Sequence, residues 1–84
     1  MYLHLGREKV VKTSEIIGIF DIENTSVSKI TREFLNSFSP SQVVNVSEDL
    51  PKSFVVAKQN DKSKIYISPI SVATLKKRGN LQKL

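Results

Sequence analysis

Ile16-Ile17-Gly18-Ile19-Phe20-Asp21-Ile22 constrains the fold of this chain more than any other stretch. Successive strand side chains point to opposite faces, so a strand drawn through it sets Ile17 and Ile19 on one side and Ile16, Phe20 and Ile22 on the other. Such a strand must be covered twice, which predicts a central place in a sheet for Ile16 to Asp21. Gly18 within it predicts a bulge or the close approach of another backbone. Ser53 to Lys58, with Phe54, Val55, Val56 and Ala57 unbroken, is a second strand apolar on both faces and predicts another central position.

The chain has 84 residues, enough for one domain over residues 1–79, with 80–84 expected as a flexible tail. A core of that size is only marginally sufficient without reinforcement. There is no cysteine for a disulfide, and His4 is the single histidine, so neither covalent nor metal stapling is expected. Oligomerisation is the reinforcement that remains. With one long helix to cover two double-faced strands, the pattern predicts a homo-oligomer joined through Ile17, Ile19, Phe20, Phe54 and Val56. The alternative is a monomer whose second, short helix covers the other face. A heterologous contact would close into a ring, though the pattern itself does not choose ring over dimer.

The remaining elements follow from period and punctuation. Tyr2 to Leu5 alternates Tyr2 and His4 against Leu3 and Leu5, a half-buried strand, and Gly6-Arg7-Glu8-Lys9 supplies a turn into a short strand over Lys9 to Lys12. Asn24-Thr25-Ser26 is a cluster of N-cap residues. From there Val27, Ile30, Phe34, Leu35 and Phe38 form one apolar helical stripe, which Pro40 stops. Gln42 to Val46 predicts a fourth strand. Gln59 to Ser63 has the make-up of a hairpin turn, and Lys64 to Ser68 returns as its partner strand. Ser71 caps a short helix over Val72 to Arg78, ended by Gly79. The class is therefore α+β, a small twisted, mainly antiparallel sheet with one long and one short helix.

The formal charge of +5 is unevenly placed. Through residue 42, Arg7, Lys9, Lys12, Lys29 and Arg32 are balanced by Glu8, Glu15, Asp21, Glu23 and Glu33. From Leu50 onward stand Lys52, Lys58, Lys62, Lys64, Lys76, Lys77, Arg78 and Lys83 against Asp61 alone. A segregated positive field attracts polyanions such as DNA, RNA or an anionic membrane surface, although a merely solubilising surface has the same composition. Lys76-Lys77-Arg78 also complements the negative end of its own helix. No stretch approaches a membrane span and no signal peptide is evident, so a soluble cytoplasmic protein is expected.

An enzyme is hard to build from these residues. His4 sits in a strand without an acidic orienter and reads as a partly buried strand residue. Gly6, Gly18 and Gly79 are isolated and make no phosphate loop. Glu48-Asp49 and Asp21-Ile22-Glu23 are explained by loop solvation and helix N-terminal placement. No catalytic residue, cofactor site or metal site is expected.

Tyr2-Leu3-His4-Leu5-Gly6, Ile17-Gly18-Ile19-Phe20-Asp21, Pro51-Lys52-Ser53-Phe54-Val55-Val56, Tyr66-Ile67-Ser68-Pro69 and Thr74-Leu75-Lys76-Lys77-Arg78 together resemble the RemA/RemB family of bacterial extracellular-matrix regulators, in its RemB branch. The resemblance runs from Tyr2 to Arg78. It implies a cytoplasmic, non-enzymatic transcriptional regulator linked to biofilm matrix genes. It further implies a fold like the LytTR DNA-binding domain, assembled into closed rings that bind double-stranded DNA around their exterior through arginines. RemA-like proteins carry an arginine just before the central strand and an arginine pair just before the next long strand. This chain has Thr13-Ser14-Glu15 and Leu50-Pro51-Lys52 there. The implied contacts pass instead to Lys12 and Lys52, with Lys76, Lys77 and Arg78 as further candidates, and lysine offers a point charge in place of the guanidinium fork. The alternative is an oligomeric scaffold that has lost DNA binding and acts through another regulatory protein.

Overall fold

Tyr2–Gly6 (β1) and Lys9–Lys12 (β2) pair antiparallel, Tyr2 opposite Lys12 and Leu3 opposite Val11. These come from a computed structural model that describes residues 1–22, 33, 34 and 36–79. The register shifts between His4 and Gly6, and the chain turns through Arg7 with φ 47°. Gly6 takes φ 129°, and a Cβ there would come within 3.2 Å of Pro69 and Val46, so glycine is needed both for conformation and for space. Leu3, Leu5 and Val11 point inward and are buried, while Tyr2 and His4 point out. His4 is thus exposed, where partial burial was expected.

A 3-10 turn over Thr13–Glu15 leads into Ile16–Asp21 (β3). Val43–Asn45 (β4), Ser53–Gln59 (β5) and Lys62–Ser68 (β6) complete a four-stranded sheet in the order β3-β5-β6-β4. β5 holds the central position its apolar run predicted. β3 does not: it is an edge strand, hydrogen-bonded to β5 alone. The pairs β3–β5 and β5–β6 are antiparallel and β4–β6 is parallel, while β1 and β2 form a separate two-stranded sheet. β5 and β6 join through Asn60 and Asp61 at φ 50° and 65°, the two left-handed residues that a tight hairpin needs to match strand twist.

The bulge expected near Gly18 is present, and it changes which side chains share a face. Ile16 pairs with Ala57 and Gly18 with the very next residue, Val56, leaving Ile17 as the extra residue. Ile16 and Ile19 therefore pack on one core, and Phe20 on the opposite side stacks on Phe54 at 5.0 Å. Simple alternation had grouped Ile16 with Phe20 and Ile17 with Ile19.

Each face of the sheet has its own cover. On one, Val55, Ala57 and Tyr66 pack against Leu3, Leu5 and Val11 of the hairpin and Leu75 of the C-terminal helix, Val72–Gly79 (α1). On the other, Phe54, Val56 and Ile65 pack with Ile22, Phe38 and Ile67. Each fully buried aliphatic or aromatic side chain contributes roughly 1.5 to 3 kcal/mol. Glu33, Phe34 and Asn36 are helical, and the Ser37 amide and hydroxyl both donate to the Phe34 carbonyl, which ends that helix before Pro40. Pro40 instead opens a 3-10 turn, Pro40–Gln42, whose Gln42 side chain accepts from the Ser39 amide at 3.0 Å. The rest of the expected long helix, its Asn24-Thr25-Ser26 cap and the tail from Asn80 lie outside the described residues. α1 begins as predicted, with the Ser71 hydroxyl accepting from the Thr74 amide at 3.3 Å, and runs through Gly79.

Candidate nucleic-acid interface

The basic residues singled out from sequence fall into two groups. Lys12 ends β2 directly across from Tyr2, and the Thr13 amide donates to the Met1 carbonyl at 3.0 Å, fastening the open end of the hairpin. α1 lies against β1, turning Leu75 inward and leaving Lys77 and Arg78 exposed, with Lys76 half-buried. Arg78 shares with Tyr2, Leu3 and His4 a shallow hollow of about 260 Å³. Strand pairing and helix docking thus bring Lys12 and Arg78 to either side of Tyr2.

Lys52 lies elsewhere. Its amide donates to the Ser68 carbonyl at 2.9 Å and its carbonyl accepts from the Ile22 amide at 3.0 Å, so its backbone bridges the ends of β3 and β6. That is the Asp21–Ser53 end of the β3–β5 ladder, whereas β2 leads through Thr13–Glu15 into the Ile16–Ala57 end. At about 3.4 Å per strand residue the two ends are some 15 Å apart. Within one chain Lys12 and Lys52 do not form one site.

The two ends of the hairpin differ electrostatically. Around the turn, Arg7 and Lys9 share a hollow with Glu8, and Arg7 shares another with Asn45, Ser47 and Glu48, so opposite charges are interleaved. Lys9 is further engaged, its Nζ 5.1 Å from the Tyr66 ring centre. Burial raises the Tyr66 hydroxyl pKa above the ordinary tyrosine value; its hydrogen bond with Gln59 opposes this and the Glu15 charge adds to it. At the open end, no acidic side chain among the described residues lines the hollow between Tyr2 and Arg78. Among the described residues no group of three His, Cys, Asp or Glu side chains could hold a metal ion, and no helix is long and apolar enough to cross a membrane.

Of the five residues expected at a subunit interface, three are taken up within the chain: Ile19, Phe54 and Val56 are 9%, 3% and 6% exposed. Ile17 and Phe20 remain open at 55% and 45%. Tyr2 and His4, which share the hollow with Arg78, are not among the binding residues expected from sequence. Their outward phase was readable from the alternation with Leu3 and Leu5, but their proximity to Arg78 is long-range and leaves no local trace.

The described residues form a small α+β domain that exposes basic side chains near the open end of its hairpin. Comparison with known proteins narrows the class. The model of the RemA-like family, described as extracellular matrix regulatory protein A-like, matches residues 2–78, and the chain belongs to that family. It is 47% identical over 79 residues to extracellular matrix regulatory protein B of Bacillus subtilis (strain 168), covering 94% of this chain and 90% of that protein.

Proposed function

We propose that this chain is a non-enzymatic, cytoplasmic regulator of extracellular matrix and biofilm genes that binds double-stranded DNA through its backbone as a closed homo-oligomeric ring of LytTR-like subunits. Membership of a regulatory family supports the role. The observation that carries DNA binding is the approach of Lys12 and Arg78, far apart in sequence, to Tyr2: Lys12 pairs with it across the ribbon, and Arg78 shares with it a hollow that no carboxylate lines among the described residues. Repetition of a modest site around a ring makes weak contacts add multivalently. Lys52, some 15 Å away along the ladder, serves as a second phosphate contact. Lys76 and Lys77 contribute to the general field of the helix end.

Fluorescence anisotropy of a labelled duplex across a salt series tests this. Sub-micromolar binding that weakens steeply with salt is expected, because each neutralised phosphate releases counterion. Replacing Lys12 and Lys52 together with glutamate should abolish it. No binding by the wild-type protein even at low salt would favour the second reading, an oligomeric scaffold acting through another regulatory protein, for which the exposed Ile17 and Phe20 are the supporting observation.

A further inference from the structure

We propose, on the basis of the DNA-binding reading above, that the β1–β2 ribbon is laid against the duplex by its outer face, with Tyr2 and His4 as contact residues between Lys12 and Arg78. A two-stranded ribbon has the dimensions to lie in or along the major groove of B-form DNA. Here the inner face of the ribbon is committed to the core through Leu3, Leu5 and Val11. Its outer face is not: Tyr2 is 60% exposed, and His4 and Lys12 are exposed beside it. The strand pairing puts Lys12 next to Tyr2, and two residues of strand carry His4 about 7 Å further along, comparable to one step between backbone phosphates. Arg78 closes the row from α1 and brings the fork geometry that suits phosphate oxygens. The tyrosine hydroxyl and imidazole N–H are donors of the kind that fix a protein on the sugar-phosphate backbone. Among the described residues no carboxylate lines the hollow, so charge and donor type both select a polyanion. The register of the ribbon on DNA is thereby set by β1, not by a recognition helix.

Tyr2 and Tyr66 are the two tyrosines of the chain, and Tyr66 is 1% exposed, so tetranitromethane should nitrate Tyr2 selectively. Duplex DNA is expected to protect Tyr2 from nitration at concentrations that saturate the anisotropy signal. His4→Ala, Tyr2→Ala and Arg78→Ala should each weaken duplex binding, Arg78→Ala by roughly tenfold, and Arg78→Ala should lower the salt slope by about one. These side chains lie outside the core, so the variants should keep the wild-type circular dichroism spectrum. Wild-type protein that fails to bind duplex overturns the DNA-binding reading and this inference with it. Duplex binding with Tyr2 still nitrated and with all three variants at wild-type affinity overturns this inference alone and leaves DNA binding to Lys52 and the rest of the surface. Protection of Tyr2 by anionic phospholipid vesicles but not by duplex overturns it in favour of a lipid surface.

Discussion

The Phe20 ring lies back over Gly18, so that a Cβ on Gly18 would stand 2.8 Å from ring carbons Cε2 and Cζ. The same ring stacks on Phe54 at 5.0 Å, so an alanine at position 18 must lift Phe20 away from its aromatic partner. The lost pair is worth about 0.5 to 1.5 kcal/mol, against a gain of about 0.4 to 1 kcal/mol from stiffening the unfolded chain. Exposure of the Phe54 face tips the balance, and Gly18→Ala is expected to destabilise by up to about 1 kcal/mol. In a Phe20→Ala background the obstacle is gone and the same change should be neutral or stabilising. A double-mutant cycle by urea denaturation measures this coupling, and additive effects would show that the ring is not what glycine accommodates.

Ser68 ties the hairpin to the sheet. Its hydroxyl, fully buried, donates to the Leu5 carbonyl and accepts from the Ile70 amide at 3.1 Å. Ser68→Ala removes both bonds where water cannot replace them, and a loss of about 1 to 3 kcal/mol is expected. Ser53, also buried, makes one bond, to the Ile70 carbonyl at 2.6 Å, and Ser53→Ala should cost less. Urea midpoints check the order; equal midpoints for wild type and Ser68→Ala would mean the hairpin is held by its apolar contacts alone.

How far the fold could be read in advance depended on whether local pattern or long-range pairing decided each feature. The period-two runs located the strands, and Ser71 announced α1, because those signals act over a few residues. Ile17 was misplaced because a one-residue bulge reverses the phase of everything beyond it, and Gly18 signals a bulge without saying which neighbour is extruded. β3 reads as a central strand because its residues are apolar on both sides. An edge strand carries the same composition when aromatic stacking and a hairpin cover its faces. Lys12 and Arg78 were each singled out for charge, but their convergence around Tyr2 depends on α1 docking against β1.

Tyr66 gives the molecule an alkaline limit. Burial is the main cause that holds its pKa above the usual value of about 10. Above that pH the unfolded chain gives up the phenolic proton while the folded chain keeps it, so the unfolded state binds fewer protons and stability falls as pH rises. The contribution is fully present below the unfolded pKa and is lost as pH climbs toward the folded one. Tyr66→Phe removes the group and its bond to Gln59, and the variant should lose stability less steeply between pH 9.5 and 11, values bracketing roughly the unfolded tyrosine range. Parallel alkaline slopes for the two proteins, from urea midpoints at each pH, would show that lysine titration governs this limit.

The edge position of β3 decides how the assembly is best tested. Phe54 is buried inside the subunit, so Phe54→Asp should unfold the chain and say nothing about its partners. Ile17, extruded by the bulge and 55% exposed, contributes little to its own core, and Ile17→Asp should leave the monomer folded. If subunits join through this edge, a buried carboxylate at each joint is prohibitive, and sedimentation equilibrium should show Ile17→Asp as a monomer with the wild-type circular dichroism spectrum. Because a ring multiplies a weak site, the same variant should then lose about a hundredfold or more in duplex affinity with every basic residue intact. An unchanged mass for Ile17→Asp would move the joint away from β3. A wild-type monomer at micromolar concentrations would remove the ring altogether, leaving the hairpin face to bind alone.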